Sequence, residues 1–83
     1  MEHYLILARS VTYAQRMQRV MNGAGIRCRM FRAPRDLSDS GCGYALKLEG
    51  SNLAGALNAI YGAGLGPVRV FWYQQGAYRE VSV

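Results

Sequence analysis

Ile26-Arg27-Cys28-Arg29-Met30-Phe31-Arg32 and Tyr44-Ala45-Leu46-Lys47-Leu48-Glu49 are two strand-like runs with no helical pattern between them. The first alternates, with Ile26, Cys28 and Met30 on one side and Arg27, Arg29 and Phe31 on the other. That period of two predicts a strand with one packed face and one wetter face. Pro34 ends it, because proline has no N–H to give a ladder. The segment from Arg35 to Gly43 is polar and glycine-bearing and reads as a loop. A helical pattern flanks the pair on each side. Upstream, Ala14, Met17, Val20, Met21 and Ala24 recur at helical spacing and predict a helix over 12–23, with Arg16 and Arg19 largely off the apolar stripe. Ser10 or Thr12 offers its N-cap, and Thr12 with Gln15 forms a weak capping box. Gly23 and Gly25 end it. Downstream, Ser51 is the expected cap of a second helix in which Leu53, Ala56, Leu57, Ile60 and Gly64 share a face. Gly62, Gly64 and Gly66 close that helix, and Pro67 blocks its continuation.

The outer strands follow. Residues 3–9 form a continuous apolar run, suited to a central strand buried on both faces. Val68 to Gln74 is rich in β-branched and aromatic residues, Gln75-Gly76 marks a turn, and Tyr78 to Val83 is expected to pair back as a short fifth strand. The order is β-α-β-β-α-β plus a terminal strand. Each β-α-β half favours a right-handed crossover. The economical solution is an α+β, ferredoxin-like split βαβ: an antiparallel sheet with two helices on one face.

The chain has 83 residues, room for one domain spanning 1–83. Its apolar fraction of 51% and charged fraction of 18% exclude intrinsic disorder. No apolar run reaches the ~20 residues of a membrane span. The start, from Met1 to Arg9, has too short an apolar stretch and no basic leader, so it reads as a strand and not a signal peptide. The cytoplasm is the expected compartment. The net charge is +5, and every basic residue except Lys47 is arginine. Arginine suits bidentate contact with carboxylate or phosphate, although a solvated surface explains the excess equally well.

Two cysteines and a single histidine, His3, at the chain start cannot furnish a structural metal site, and no cofactor is expected. Cys28 lies mid-strand beside Ile26 and Met30 and reads as packing. Cys42 differs, since it stands between Gly41 and Gly43 in a polar loop. Neither neighbour carries a Cβ to shield its sulfur, and successive N–H groups in such a turn can form an anion-binding nest. Arg32 or Arg35 adds positive charge nearby, whereas Asp36 and Asp39 oppose a lowered thiol pKa. The bland alternative is that Gly41-Cys42-Gly43 only shapes the approach to the third strand, and that Ser38, Asp39 and Ser40 only form turns.

Pro34-Arg35-Asp36-Leu37-Ser38-Asp39-Ser40-Gly41-Cys42-Gly43-Tyr44-Ala45-Leu46 resembles the central signature of the selenium/sulfur carrier-like family of small bacterial proteins. The resemblance covers residues 3 to about 73. It implies that Cys42 bears the chalcogen, and that Pro34, Arg35, Ser38 and Ser40 shape the loop. Gly41 looks like an insertion relative to members with serine directly before the cysteine. The implied role is a carrier without independent catalysis that holds a persulfide or selenopersulfide between donor and acceptor proteins. No base–nucleophile–orienter set is evident, which suits a carrier whose partners supply the remaining catalysis. Sulfur carriers with Cys-Pro-x-Pro at a helix start use a different arrangement, because Cys42 is followed by Gly43-Tyr44.

Two other readings remain. One is a non-catalytic interaction or regulatory module, homodimeric through an open sheet face. The other is an RNA-binding module with Phe31, Phe71 and Tyr73 beside Arg27, Arg29 and Arg69. The second is disfavoured because the third strand lacks the Gly-aromatic run of RNA-recognition motifs.

Overall fold

A computed structural model describes residues 3–33, 37 and 43–81. Five strands are hydrogen-bonded in the order β2-β3-β1-β4-β5, every neighbouring pair antiparallel. They are β1 (His3–Ala8), β2 (Arg29–Arg32), β3 (Tyr44–Glu49), β4 (Arg69–Gln74) and β5 (Ala77–Val81). Helix α1 (Val11–Gly23) joins β1 to β2, and α2 (Leu53–Gly62) joins β3 to β4. This is the ferredoxin-like α+β arrangement that the pattern predicts, with β5 added beside β4.

The apolar run of β1 explains its central place. Leu5 and Ile6 point to opposite faces and both are fully buried. Ile6 stands between Leu46 and Val70 in register, and these pack with Ala14, Met17 and Met21 of α1 and Ala56 and Ile60 of α2. Both helices therefore cover this one face. Leu5 faces the other side, between Lys47 and Phe71.

The helix ends follow from particular residues. Ser10 is extended (φ −154°, ψ 166°) and its Oγ accepts the Tyr13 N–H at 3.2 Å, so Ser10 is the N-cap and Thr12 lies inside the helix. At the other end Gly25 takes φ +79°, and the Ile26 N–H donates to the Met21 carbonyl at 2.9 Å. The same closure recurs after α2: Gly64 has φ +74° and the Leu65 N–H donates to the Ile60 carbonyl at 3.0 Å.

Three expectations change. The strand over 26–32 begins only at Arg29, because the Ile26 N–H is engaged in closing α1 and is not available to a ladder. Ser51 does not cap α2. It lies in a 3-10 turn, Gly50–Asn52, that runs directly into the helix, with the Leu53 N–H on the Gly50 carbonyl. Gly64 leaves the helical face and supplies the left-handed turn after it. The hairpin between β4 and β5 turns on Gln75 (φ +51°) and Gly76 (φ +80°), the two positive φ values that a tight hairpin needs.

Candidate functional site

Pro34, Arg35, Ser38, Ser40, Gly41 and Cys42 lie outside the described residues, as do Asp36 and Asp39. Leu37, Gly43 and the two strand ends that carry the segment are described. The Ala33 N–H donates to the Gly43 carbonyl at 3.1 Å, one step beyond the last ladder pair, Arg32 with Tyr44. The two ends of the segment are thus fastened together. Leu37 is buried to 8% exposure in a cluster with Leu5, Ala45 and Phe71, on the sheet face opposite the helices. The mid-point of the segment is accordingly anchored by an apolar side chain.

A cavity of about 280 Å³ opens beside these anchors. Leu37 and Gly43 line it together with Arg9, Tyr13, Pro67 and Arg69. The fold explains the grouping: Ala8 is in register with Tyr44, which sets the end of β1 beside the start of β3. Leu7 is in register with Arg69, which adds the start of β4. Cys42 is joined to the lining residue Gly43 by one peptide bond.

Among the described residues, the charged groups lining the cavity are the cations Arg9 and Arg69. The Arg9 guanidinium lies over the Tyr13 ring, 4.3 Å from its centroid. The first turn of α1 also begins here, contains no acidic residue, and contributes the positive end of the helix dipole. Arg69 is held by Glu80 through two charge-assisted hydrogen bonds of 2.9 and 3.0 Å. That pairing pulls the Glu80 carboxyl below its ordinary 4.5. Arg69 also lies over the Phe71 ring at 5.2 Å. Arg9 was not among the residues singled out from the sequence, and Arg69 was named there only for the RNA-binding reading. Arg9 directly precedes the α1 cap and Arg69 opens β4, positions with no local signature of a shared cavity. Only the strand order brings the two together.

Cys28 faces the core as its alternation predicts, but it precedes β2 and does not lie mid-strand. It is half-buried among the residues packed under the helices, and its carbonyl accepts from Gln18 Nε2 at 3.5 Å. Burial pushes its thiol up from the ordinary 9.0. Such a sulfur is mostly protonated near neutral pH and a poor nucleophile. Among the described residues no three His, Cys, Asp or Glu side chains converge as metal ligands, and no helix is long and apolar enough to cross a membrane.

No curated protein and no solved structure matches the chain. A family described as "Putative Se/S carrier protein-like" does match, over residues 3–71. The match runs from the first residue of β1 into β4 and takes in both helices, the Pro34–Gly43 segment and its anchors. With that extent of agreement, and with the βαββαβ order complete up to β4, the chain belongs to the Se/S carrier-like family.

Proposed function

We propose that the protein carries sulfur or selenium as a persulfide or selenopersulfide on Cys42, passing it between a donor and an acceptor protein. The supporting observation is the cavity lined by Gly43, the residue covalently next to Cys42, and by Arg9 beside the start of α1, within a chain of the Se/S carrier-like family. A persulfide is anionic near neutral pH, and cations with a helix N-terminus favour an anionic sulfur species.

The transfer is an exchange at sulfur. The Cys42 thiolate attacks the outer sulfur of a donor R–S–SH. A bond forms between the Cys42 sulfur and that sulfur, the donor S–S bond breaks, and the donor leaves as a thiolate. An acceptor nucleophile then attacks the outer sulfur and Cys42 leaves as thiolate. Selenium follows the same steps from R–S–SeH. No external oxidant or reductant enters, because the sulfane or selane atom keeps its oxidation state throughout. The rate depends on the thiolate fraction and on the leaving thiol's pKa. Pro34, Arg35, Ser38, Ser40 and Gly41 shape the segment in this reading, and Gly43 fixes its exit into β3. The carrier itself needs no base and no cofactor, and the cytoplasm, where thiols stay reduced, suits it.

The test is persulfide loading followed by intact-mass measurement. Wild type and Cys28→Ser are expected to gain one sulfur from a low-molecular-weight persulfide donor, and Cys42→Ser to gain none. Equal loading of both variants, or loading of Cys42→Ser alone, overturns the proposal.

A further inference from the structure

The helix-free face of the sheet has two unlike halves. Leu37 covers Leu5, Ala45 and Phe71. Toward His3 the face opens into a cavity of about 620 Å³ lined by His3, Arg29, Phe31, Lys47, Tyr73 and Tyr78. Strand register builds this surface. His3 pairs with Tyr73 and Tyr73 with Tyr78, so three rings from β1, β4 and β5 stand in one row. The His3 and Tyr73 rings are stacked, 4.6 Å apart at 17°, and Tyr78 meets Tyr73 at 4.8 Å with its ring tilted by 57°. All three are half-buried, each with part of its surface in contact with solvent.

Cations border the row. Arg29 and Lys47 are register partners on the same face, and both are exposed. A second cavity of about 530 Å³ shares His3, Arg29 and Lys47 with the first and adds Arg27. Its acidic residue is Glu49, so among the described residues the two joined cavities hold three cations against one carboxylate.

We propose that this face binds single-stranded nucleic acid, with a base packed against the His3, Tyr73 and Tyr78 rings that line the cavity and successive phosphates along Lys47, Arg29 and Arg27. An aromatic floor reads any base by stacking, and an adjoining cationic track holds the backbone. The continuation of cations from one cavity into the other suits a strand better than a lone nucleotide, which offers its charge at one point. It also disfavours a second copy of the chain, because a two-fold contact through this patch brings cations toward cations. The missing Gly-aromatic run in β3 argues against the usual RNA-recognition layout. Here β3 contributes Lys47 instead, and the rings come from β1, β4 and β5. Phe71, expected in this role, is 5% exposed beneath the Leu37 cluster and is not part of that row of rings. The proposal does not depend on Cys42.

The experiment is fluorescence anisotropy with a labelled single-stranded RNA about ten nucleotides long. Wild type is expected to bind with a log–log salt slope of about −2, from ~0.7 per phosphate and three cations. Tyr73→Ala is expected to weaken binding about tenfold, while Tyr73→Phe, which keeps the ring, retains affinity and separates lost stacking from lost folding. Lys47→Glu is expected to weaken binding and flatten the slope. Arg16→Glu, an equal charge change on the exposed side of α1, is expected to leave affinity nearly unchanged. Four results overturn the proposal: no RNA binding, equal losses from Lys47→Glu and Arg16→Glu, full competition by adenosine monophosphate at the same site concentration, or a concentration-dependent dimer abolished by Tyr73→Ala without RNA affinity.

Discussion

Burial disfavours the charged form of the Cys28 thiol, so its pKa stands above the ordinary 9.0. Tyr78 is raised from 10.0 in the same way, by burial first and then by the neighbouring Tyr73. A group whose pKa rises on folding stabilises the protein below its unfolded value, and the contribution is lost as pH climbs through the folded value. Stability should therefore fall on the alkaline side, beginning near pH 9 with Cys28 and continuing past pH 10 with Tyr78. Cys28→Val, which keeps an apolar group at the site, is expected to remove the earlier part of that fall and leave the later part. Urea melts from neutral pH upward check this, and identical pH slopes in both proteins would contradict it. The packing role of Cys28 was legible in the sequence, because period-two alternation assigns it to a face with Ile26 and Met30. The cationic role of Arg9 was not legible, since a lone arginine at a strand end has no local signature and gains its partners only from strand order.

Among the described residues, the segment between β2 and β3 is held by an apolar side chain at its middle, Leu37, and a hydrogen bond at its ends, Ala33 to Gly43. Leu37 stands in an otherwise polar stretch, and a loop reading passes over it. In the folded chain it is the residue that closes the second core, over Leu5 and Phe71. Leu37→Ala is expected to cost about 2–3 kcal/mol, near the lower end for buried leucine because the site lies under a loop. It should also speed amide exchange at Gly43 and Ala33 ahead of the rest of the sheet. A cost below about 0.5 kcal/mol would place Leu37 outside the core. The helices were read closely because their apolar stripes, the Ser10 cap of α1 and the glycine exits are local signals. The start of β2 and the cap of α2 were misjudged for one shared reason. Backbone N–H groups at Ile26 and Leu53 are taken by turn closures, and such bonding is not written in side-chain periodicity.

At the scale of the whole molecule, the split βαβ order places two distinct surfaces on one sheet. The ends of β1 and β3 and the start of β4 gather Arg9, Gly43 and Arg69 at one end. The row of His3, Tyr73 and Tyr78 stands toward the other. Helices occupy the opposite face, over the main core. The fold was legible because period changes along the chain mark each element, and the two β-α-β halves admit few topologies. The candidate thiol was legible only as a cysteine between glycines in a family-like segment. The cations that line the cavity beside Gly43 come from residues far apart in sequence, and no local pattern announces them.

The carrier account stands or falls on a difference between two sulfurs, and limited alkylation measures it directly. Folded wild-type protein is treated at neutral pH with substoichiometric iodoacetamide, and the modified peptides are quantified by mass spectrometry. The account predicts modification at Cys42 well ahead of Cys28, and protection of Cys42 from direct S-alkylation after loading with a persulfide donor. Preferential labelling of Cys28, or equal labelling at the rate of the urea-unfolded chain, would contradict it.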